Sequence, residues 1–342
     1  MNRSILILYT GGTIGMKTDP ETGVLSPFKF DQIEEEVPEL KKFNFNLQTM
    51  TFNPPIDSSN VTPELWKQIA RVIHENYDAY DGFVVLHGTD TMSYSASALS
   101  FMTQNLSKPI IFTGSQIPIG VIRTDGKENL ITAIEIAAAQ ENGRSAVPEV
   151  CVYFQNKLFR ANRTRKHNAE QFNAFASDNY PPLAEVGISI HYNFPCIKQL
   201  DSFAPPFSVA TELDTRVSVI RIFPGMDKVV FRAMLGIPGL KAVVLETYGS
   251  GNAPTADWFI DTLEEAIREG LLVLNVSQCP AGTVEMERYE TGVKLQKIGV
   301  VSGKDITAEA ALAKLMYLLG QNLCPERIVE QLKFPIRGEI TL

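Results

Sequence analysis

The sequence predicts a two-domain α/β protein: a larger N-terminal domain on a doubly wound, mostly parallel sheet, and a smaller C-terminal α/β domain. Three observations predict it. Short apolar runs recur through the first half, each stopping at a turn rich in glycine and hydroxyls and each followed by a helical stretch. That alternation is the pattern of βαβ units. The chain has 342 residues, more than one typical domain holds. Its second half repeats the α/β rhythm on a smaller scale. The expected domains are 1–193 and 215–342, joined by a linker at 194–214 that carries Pro195, Pro205 and Pro206.

The elements follow in order. Ile5-Leu6-Ile7-Leu8 reads as a buried strand that ends at Thr10-Gly11-Gly12-Thr13. Lys17 to Phe30 reads as a loop able to cover a site, and Asp31 to Lys42 as a helix cut short by Pro38. Phe43 to Phe52 is a strand leading to the polar turn Asp57-Ser58-Ser59-Asn60. Thr62-Pro63-Glu64 opens a helix with a hydroxyl at the N-cap, proline at N1 and an acid near the dipole. Gly82 to His87 and Pro109 to Thr113 are strands ending at Gly88-Thr89-Asp90-Thr91 and Gly114-Ser115-Gln116. Val150 to Phe154 is another strand, after which Asn156 to Tyr180 loses the rhythm. In the second half the expected strands are 217–223, 242–246 and 271–276, and the expected helices 227–235, 256–269, 307–319 and 326–332.

Composition narrows the function. With 44% hydrophobic and 20% charged residues, the chain has the make-up of a globular protein. A net charge of −8 and the lack of a basic run argue against nucleic acid or an anionic membrane as partner. No apolar run approaches the ~18 residues of a membrane span. Met1-Asn2-Arg3 leads directly into the first strand, so no secretory leader is expected. The scattered Cys151, Cys196, Cys279 and Cys324 form no C-x-x-C pair, and the four histidines lack ligand spacing. The expectation is a cytoplasmic protein without metal or organic cofactor.

In an open α/β sheet, ligands sit beyond the carboxyl ends of the strands. Hydroxyl-rich turns at several such ends therefore converge on one crevice. A phosphate cradle fits poorly. Gly120 to Lys127 has one residue too many for a P-loop, and Glu128 follows the lysine. Gly249-Ser250-Gly251 has Pro254 where a dinucleotide fingerprint needs its last glycine. Acyl transfer by a threonine hydroxyl requires a neighbouring base. His87 reads as packing the strand end, and a lysine of lowered pKa could serve, but the residues alone do not pick the base.

The pair Thr10-Gly11-Gly12-Thr13-Ile14-Gly15 and His87-Gly88-Thr89-Asp90-Thr91-Met92 resembles the signature of the L-asparaginases. Asp57-Ser58-Ser59-Asn60, Arg163-Thr164-Arg165-Lys166, Tyr248 to Pro254 and Gln278-Cys279 fall in the family's order, so the resemblance covers essentially the whole chain. The D-S-S-N form and the N-terminus resemble the cytoplasmic, bacterial type I branch. The resemblance implies hydrolysis of L-asparagine to aspartate and ammonia through a threonine-linked acyl-enzyme. It implies Thr13 as nucleophile and Thr89, Asp90 and Lys166 as the constellation that moves protons. It implies substrate contacts from Asp57, Ser58, Ser59, Thr89, Asp90 and Ser115. It also implies a homodimer or homotetramer whose sites are completed by a neighbouring subunit through Asn252 and Tyr289. An effector site in such relatives would involve Arg165, Glu246 and Cys279. Here Arg165 stands where relatives can carry threonine, and Glu246 where an effector-binding arginine occurs. Val24 occupies a lid position that is tyrosine in some relatives.

Overall fold

The computed structural model describes residues 3–18, 25–27, 36–199 and 203–342. Val24, most of the expected loop at 17–30 and the first half of the expected helix at 31–42 lie outside them. The remainder of that helix is a 3-10 turn, Pro38–Lys42.

Strand β1 (Arg3–Tyr9) carries apolar residues on both faces because both faces are covered. It runs parallel to β2 (Phe45–Thr51) on one side and β3 (Gly82–Leu86) on the other. Beyond β3 come β4 (Ile110–Thr113) and β5 (Val150–Phe154), again parallel. The five parallel strands thus have the order 2-1-3-4-5. Strand order reverses between β1 and β3, and that is the crevice where doubly wound sheets take their ligands.

The stretch after β5 is more regular than its sequence suggests. β6 (Lys157–Arg160) turns back antiparallel to β5. The two-residue strands β7 (Arg165–Lys166) and β8 (Phe175–Ala176) form a separate hairpin. β9 (Ala184–Val186) and β10 (Ile190–Tyr192) extend the main sheet antiparallel beyond β6. Among the described residues the sheet has eight strands in the order β10-β9-β6-β5-β4-β3-β1-β2. The added strands are too short to show a period of two. Their anchor is the buried pair Arg160–Glu149, 2.6 Å apart, with the Arg160 guanidinium over the Tyr180 ring.

Helices cover both faces. α1 (Pro63–Asn76) buries Leu65, Ile69 and Ile73, and α2 (Met92–Met102) is buried nearly all round, which explains its run of serines and alanines. α3 (Gly126–Ala138) sets Leu130 and Ile134 against Ile5, Ile7, Val84 and Leu86 in one core. The intervening Leu6, Leu8, Phe83 and Val85 alternate to the opposite face and are equally buried.

Residues up to Thr211 form one compact unit and Glu212–Leu342 a second. Within 194–214, Ser208–Val209 pairs antiparallel with Thr103–Gln104. In the second unit β11 (Val217–Arg221), β12 (Ala242–Thr247), β13 (Leu272–Ser277) and β14 (Val301–Ser302) lie in chain order, all parallel. The helices are α4 (Lys228–Leu235), α5 (Asp257–Arg268), α6 (Glu290–Lys297), α7 (Ala308–Gly320) and α8 (Pro325–Lys333). Thr307 caps α7 as its position suggests, accepting from the Ala310 N–H. α6 and β14 carry no clear signal. The helix has Gly292 in its first turn, where the backbone of Met286 leaves no room for a side chain. No helix among the described residues is long and apolar enough to cross a membrane.

Candidate active site

Three chain turns meet beyond the carboxyl ends of β1, β2 and β3. After β1 the chain passes Gly11-Gly12 and enters a 3-10 turn, Thr13–Gly15. Gly12 has φ 89°, a conformation side chains resist, and a Cβ there would lie 2.5 Å from the Cα of Gly88. A Cβ on Gly88 would in turn lie 2.5 Å from Ser58 Oγ. Glycines at 12 and 88 therefore let the three turns close on one another. The Thr10 hydroxyl ties β1 to β3 by donating to the Leu86 carbonyl at 2.9 Å, and Thr113 ties β4 to β5 through the Tyr153 carbonyl at 2.9 Å. These two hydroxyls of the turn-rich pattern are structural.

The turns enclose a pocket of about 200 Å³ lined chiefly by polar groups. Thr13, Asp57, Ser58, Thr89, Asp90 and Lys166 all face it. Lys166 arrives on the β7–β8 hairpin. Its Nζ donates to Thr89 Oγ1 at 2.9 Å and stands 2.5 Å from Asp90 Oδ1. Thr89 Oγ1 donates to Gln116 Oε1 at 3.2 Å. Asp57 accepts from the Ser59 N–H and hydroxyl, both at 2.8 Å, and these bonds hold its carboxyl below the usual carboxylate range. Thr91 Oγ1 donates to the Ser58 carbonyl at 2.7 Å, fixing one turn against the next.

His87 stays out of this chemistry. Its Nδ1 lies 2.8 Å from the Gly88 carbonyl, which can only accept, so Nδ1 carries the proton. Nε2 then accepts from Ser95 Oγ at 2.9 Å, and Trp66 Nε1 donates to the same hydroxyl at 2.8 Å. Burial pushes the imidazole down to about 4. The ring is a neutral strut that orients the Gly88 peptide, in agreement with its reading as a packing residue.

Two residues expected to contact substrate do not line this pocket. Ser115 is absent from the pocket lining, its hydroxyl buried without a hydrogen-bond partner, and Gln116 faces the pocket in its place. Ser59 is exposed, its hydroxyl occupied by Asp57. Gln116, Met16 and Ala169 also line the pocket. Of these only Gln116 carried a legible signal, as an amide in a strand-end turn. Asp125 acts behind it, accepting from the N–H groups of Gln116 and Ile117. Among the described residues no group of three or more His, Cys, Asp or Glu is placed to hold a metal.

Residues 4–198 match the family described as "Asparaginase, N-terminal", and residues 216–332 the "Glutaminase/Asparaginase C-terminal domain". The chain belongs to the asparaginase family. It is 43% identical to L-asparaginase 1 of Escherichia coli K12, covering 99% of this chain and 98% of that protein. It is 40% identical to the 60 kDa lysophospholipase of Mus musculus, covering 99% of this chain and 63% of that protein. The crystal structure of L-asparaginase I from Vibrio cholerae superposes with a TM-score of 0.91 at 42% identity, over 100% of both chains. Within this asparaginase-family chain the remaining expected residues take these places. Arg165 precedes Lys166 on β7, its strand partner being Ala176. In the second unit, Asn252 bridges to Tyr248 and accepts from the Thr291 hydroxyl at 2.9 Å. Tyr289 stands exposed at the start of α6 under the Arg288 guanidinium. Glu246 pairs with Arg221 at 3.7 Å, and the exposed Cys279 donates its N–H to Ser277 Oγ at 3.0 Å.

Proposed function

We propose that this chain is an amidohydrolase that converts L-asparagine to L-aspartate and ammonia with Thr13 as nucleophile. The observation that carries the reading is the hydrogen-bonded triple Thr89–Lys166–Asp90, which faces the same 200 Å³ pocket as Thr13. A zwitterionic amino acid needs an anion for its ammonium and donors for its carboxylate. Asp90 and Asp57 supply the first, Ser58 and neighbouring backbone N–H groups the second. Thr13 Oγ attacks the side-chain amide carbon as its proton passes toward the Thr89–Lys166 pair. Backbone N–H groups of the turns hold the developing oxyanion. The C–N bond breaks, ammonia departs with a returned proton, and an ester joins Thr13 to the aspartyl group. Water, deprotonated by the same pair, then cleaves the ester and restores the Thr13 hydroxyl.

The test is Thr13→Ala. Ammonia release from asparagine is expected to fall by several orders of magnitude while asparagine binding persists. Full activity would move the nucleophile, Thr89 being the next candidate. Glutamine, assayed in parallel, is expected to turn over more slowly, and equal rates would overturn the substrate ranking.

The enzyme is further proposed to work in the cytoplasm as a homodimer or homotetramer, with Asn252 and Tyr289 completing a neighbour's site. Light scattering checks the assembly. Initial rates against asparagine concentration check the effector site. With Arg165 and Glu246 at its positions a hyperbola is expected, and a sigmoid would restore it.

A further inference from the structure

The Gln116 side chain connects the catalytic hydroxyl to a separate loop. Its Nε2 donates to the carbonyls of Ala169 and Gln171, both at 3.2 Å. Carbonyls only accept, so they decide which way the carboxamide faces. Oε1 is thereby presented to Thr89 Oγ1 at 3.2 Å, and since it too only accepts, Thr89 must donate to it. The Thr89 lone pairs are then left for an N–H of Lys166 Nζ at 2.9 Å. The Gln116 backbone is held as firmly, its N–H donating to Asp125 Oδ2 at 3.0 Å. Asp125 also takes Asn129 Nδ2, which donates onward to the Gly114 carbonyl.

We propose that Gln116 is a positioning residue that fixes the direction of the Thr89 hydroxyl, its proton toward the carboxamide and its lone pairs toward Lys166. The inference rests on the roles proposed above for Thr89 and Lys166. In the resting site the Thr89 proton points toward Gln116 and Lys166 donates to the Thr89 oxygen, so the proton passes to Lys166 only from the neutral-amine form of Lys166 and only once the bond to Gln116 is exchanged. The loop at 169–171 is tied to that step through one side chain. The charged groups facing the pair are Lys166 itself, Asp90 and Asp57 from the pocket walls, with Asp125 behind Gln116.

The experiment measures kcat and KM across pH for the parent, Gln116→Met and Gln116→Glu, with Thr89→Val in the same assay. Methionine removes the acceptor and lets the proton go more readily, so the pH midpoint of kcat/KM is expected to move down. Glutamate adds a negative charge and holds the proton, so the midpoint is expected to move up, each by roughly half a unit or more. Gln116→Ala replaces either variant that melts early, and must move the midpoint down. If T89V is inactive and the Gln116 variants lose rate at the parent's midpoint, Gln116 only braces the loop and the inference fails alone. If T89V keeps the parent's activity, the proposed role of Thr89 fails, and this inference with it.

Discussion

Gly12 and Gly88 meet at the floor of the pocket, so close that a Cβ on Gly12 would stand 2.5 Å from both the Cα and the N of Gly88. The contact joins the turn carrying Thr13 to the turn carrying Thr89. Space is equally short on the far side, where Ser58 stands against Gly88. Gly88→Ala therefore has to separate the turns. Since a misplacement of about 1 Å can cost ~100-fold in rate, kcat/KM for asparagine is expected to fall by about that factor. Near-parent kinetics would mean that the buried Ser58 can step aside.

Lys166→Met separates activity from stability. Asp90, its ion-pair partner, is 65% exposed. A pair this open to solvent stabilises by at most about 1 kcal/mol. The melting temperature is thus expected to shift little. If Lys166 is the proton acceptor proposed above, kcat is expected to fall by ~10²–10⁴. Collapse of stability together with activity would make Lys166 a structural residue.

His87 gives the protein an acid-sensitive strut. Its pKa is about 6.5 when unfolded and about 4 when folded. Between those values the unfolded chain binds a proton that the folded chain refuses. The stabilising effect is complete above about pH 6.5 and is lost as pH falls toward 4. This group alone removes about 2 kcal/mol between pH 7.5 and 5. Urea denaturation at the two pH values should show a smaller loss in His87→Gln than in the parent. Equal losses would place the acid sensitivity elsewhere.

Ser115→Ala tests where the sequence reading and the fold part. The Ser115 hydroxyl is buried without a partner and does not line the pocket. Its removal is expected to leave kcat and KM within about twofold. Stability should hold or rise by up to about 1 kcal/mol, since a buried hydroxyl without a hydrogen bond is costly. A large rise in KM would return Ser115 to the substrate.

The sequence by itself determined the parallel core and the chemistry available to it. Apolar runs that end at glycine and hydroxyls mark strands covered on both faces and the crevice at their carboxyl ends. The two threonine motifs, T-G-G-T and H-G-T-D, mark the family that residues 4–198 and 216–332 match. Tertiary structure decided which hydroxyls bond to the sheet and which one meets a lysine. Thr10, Thr89 and Thr113 look alike along the chain, yet the first and third spend their protons on neighbouring strands and only Thr89 meets a lysine. That lysine is 77 residues away. It arrives on a two-residue strand whose pairing is too short to leave a periodic trace. Gln116 displaced Ser115 from the pocket for a similar reason. Which side chain of a turn faces a ligand is set by the backbone bonds that Asp125 makes, and those exist only once α3 has packed against the sheet.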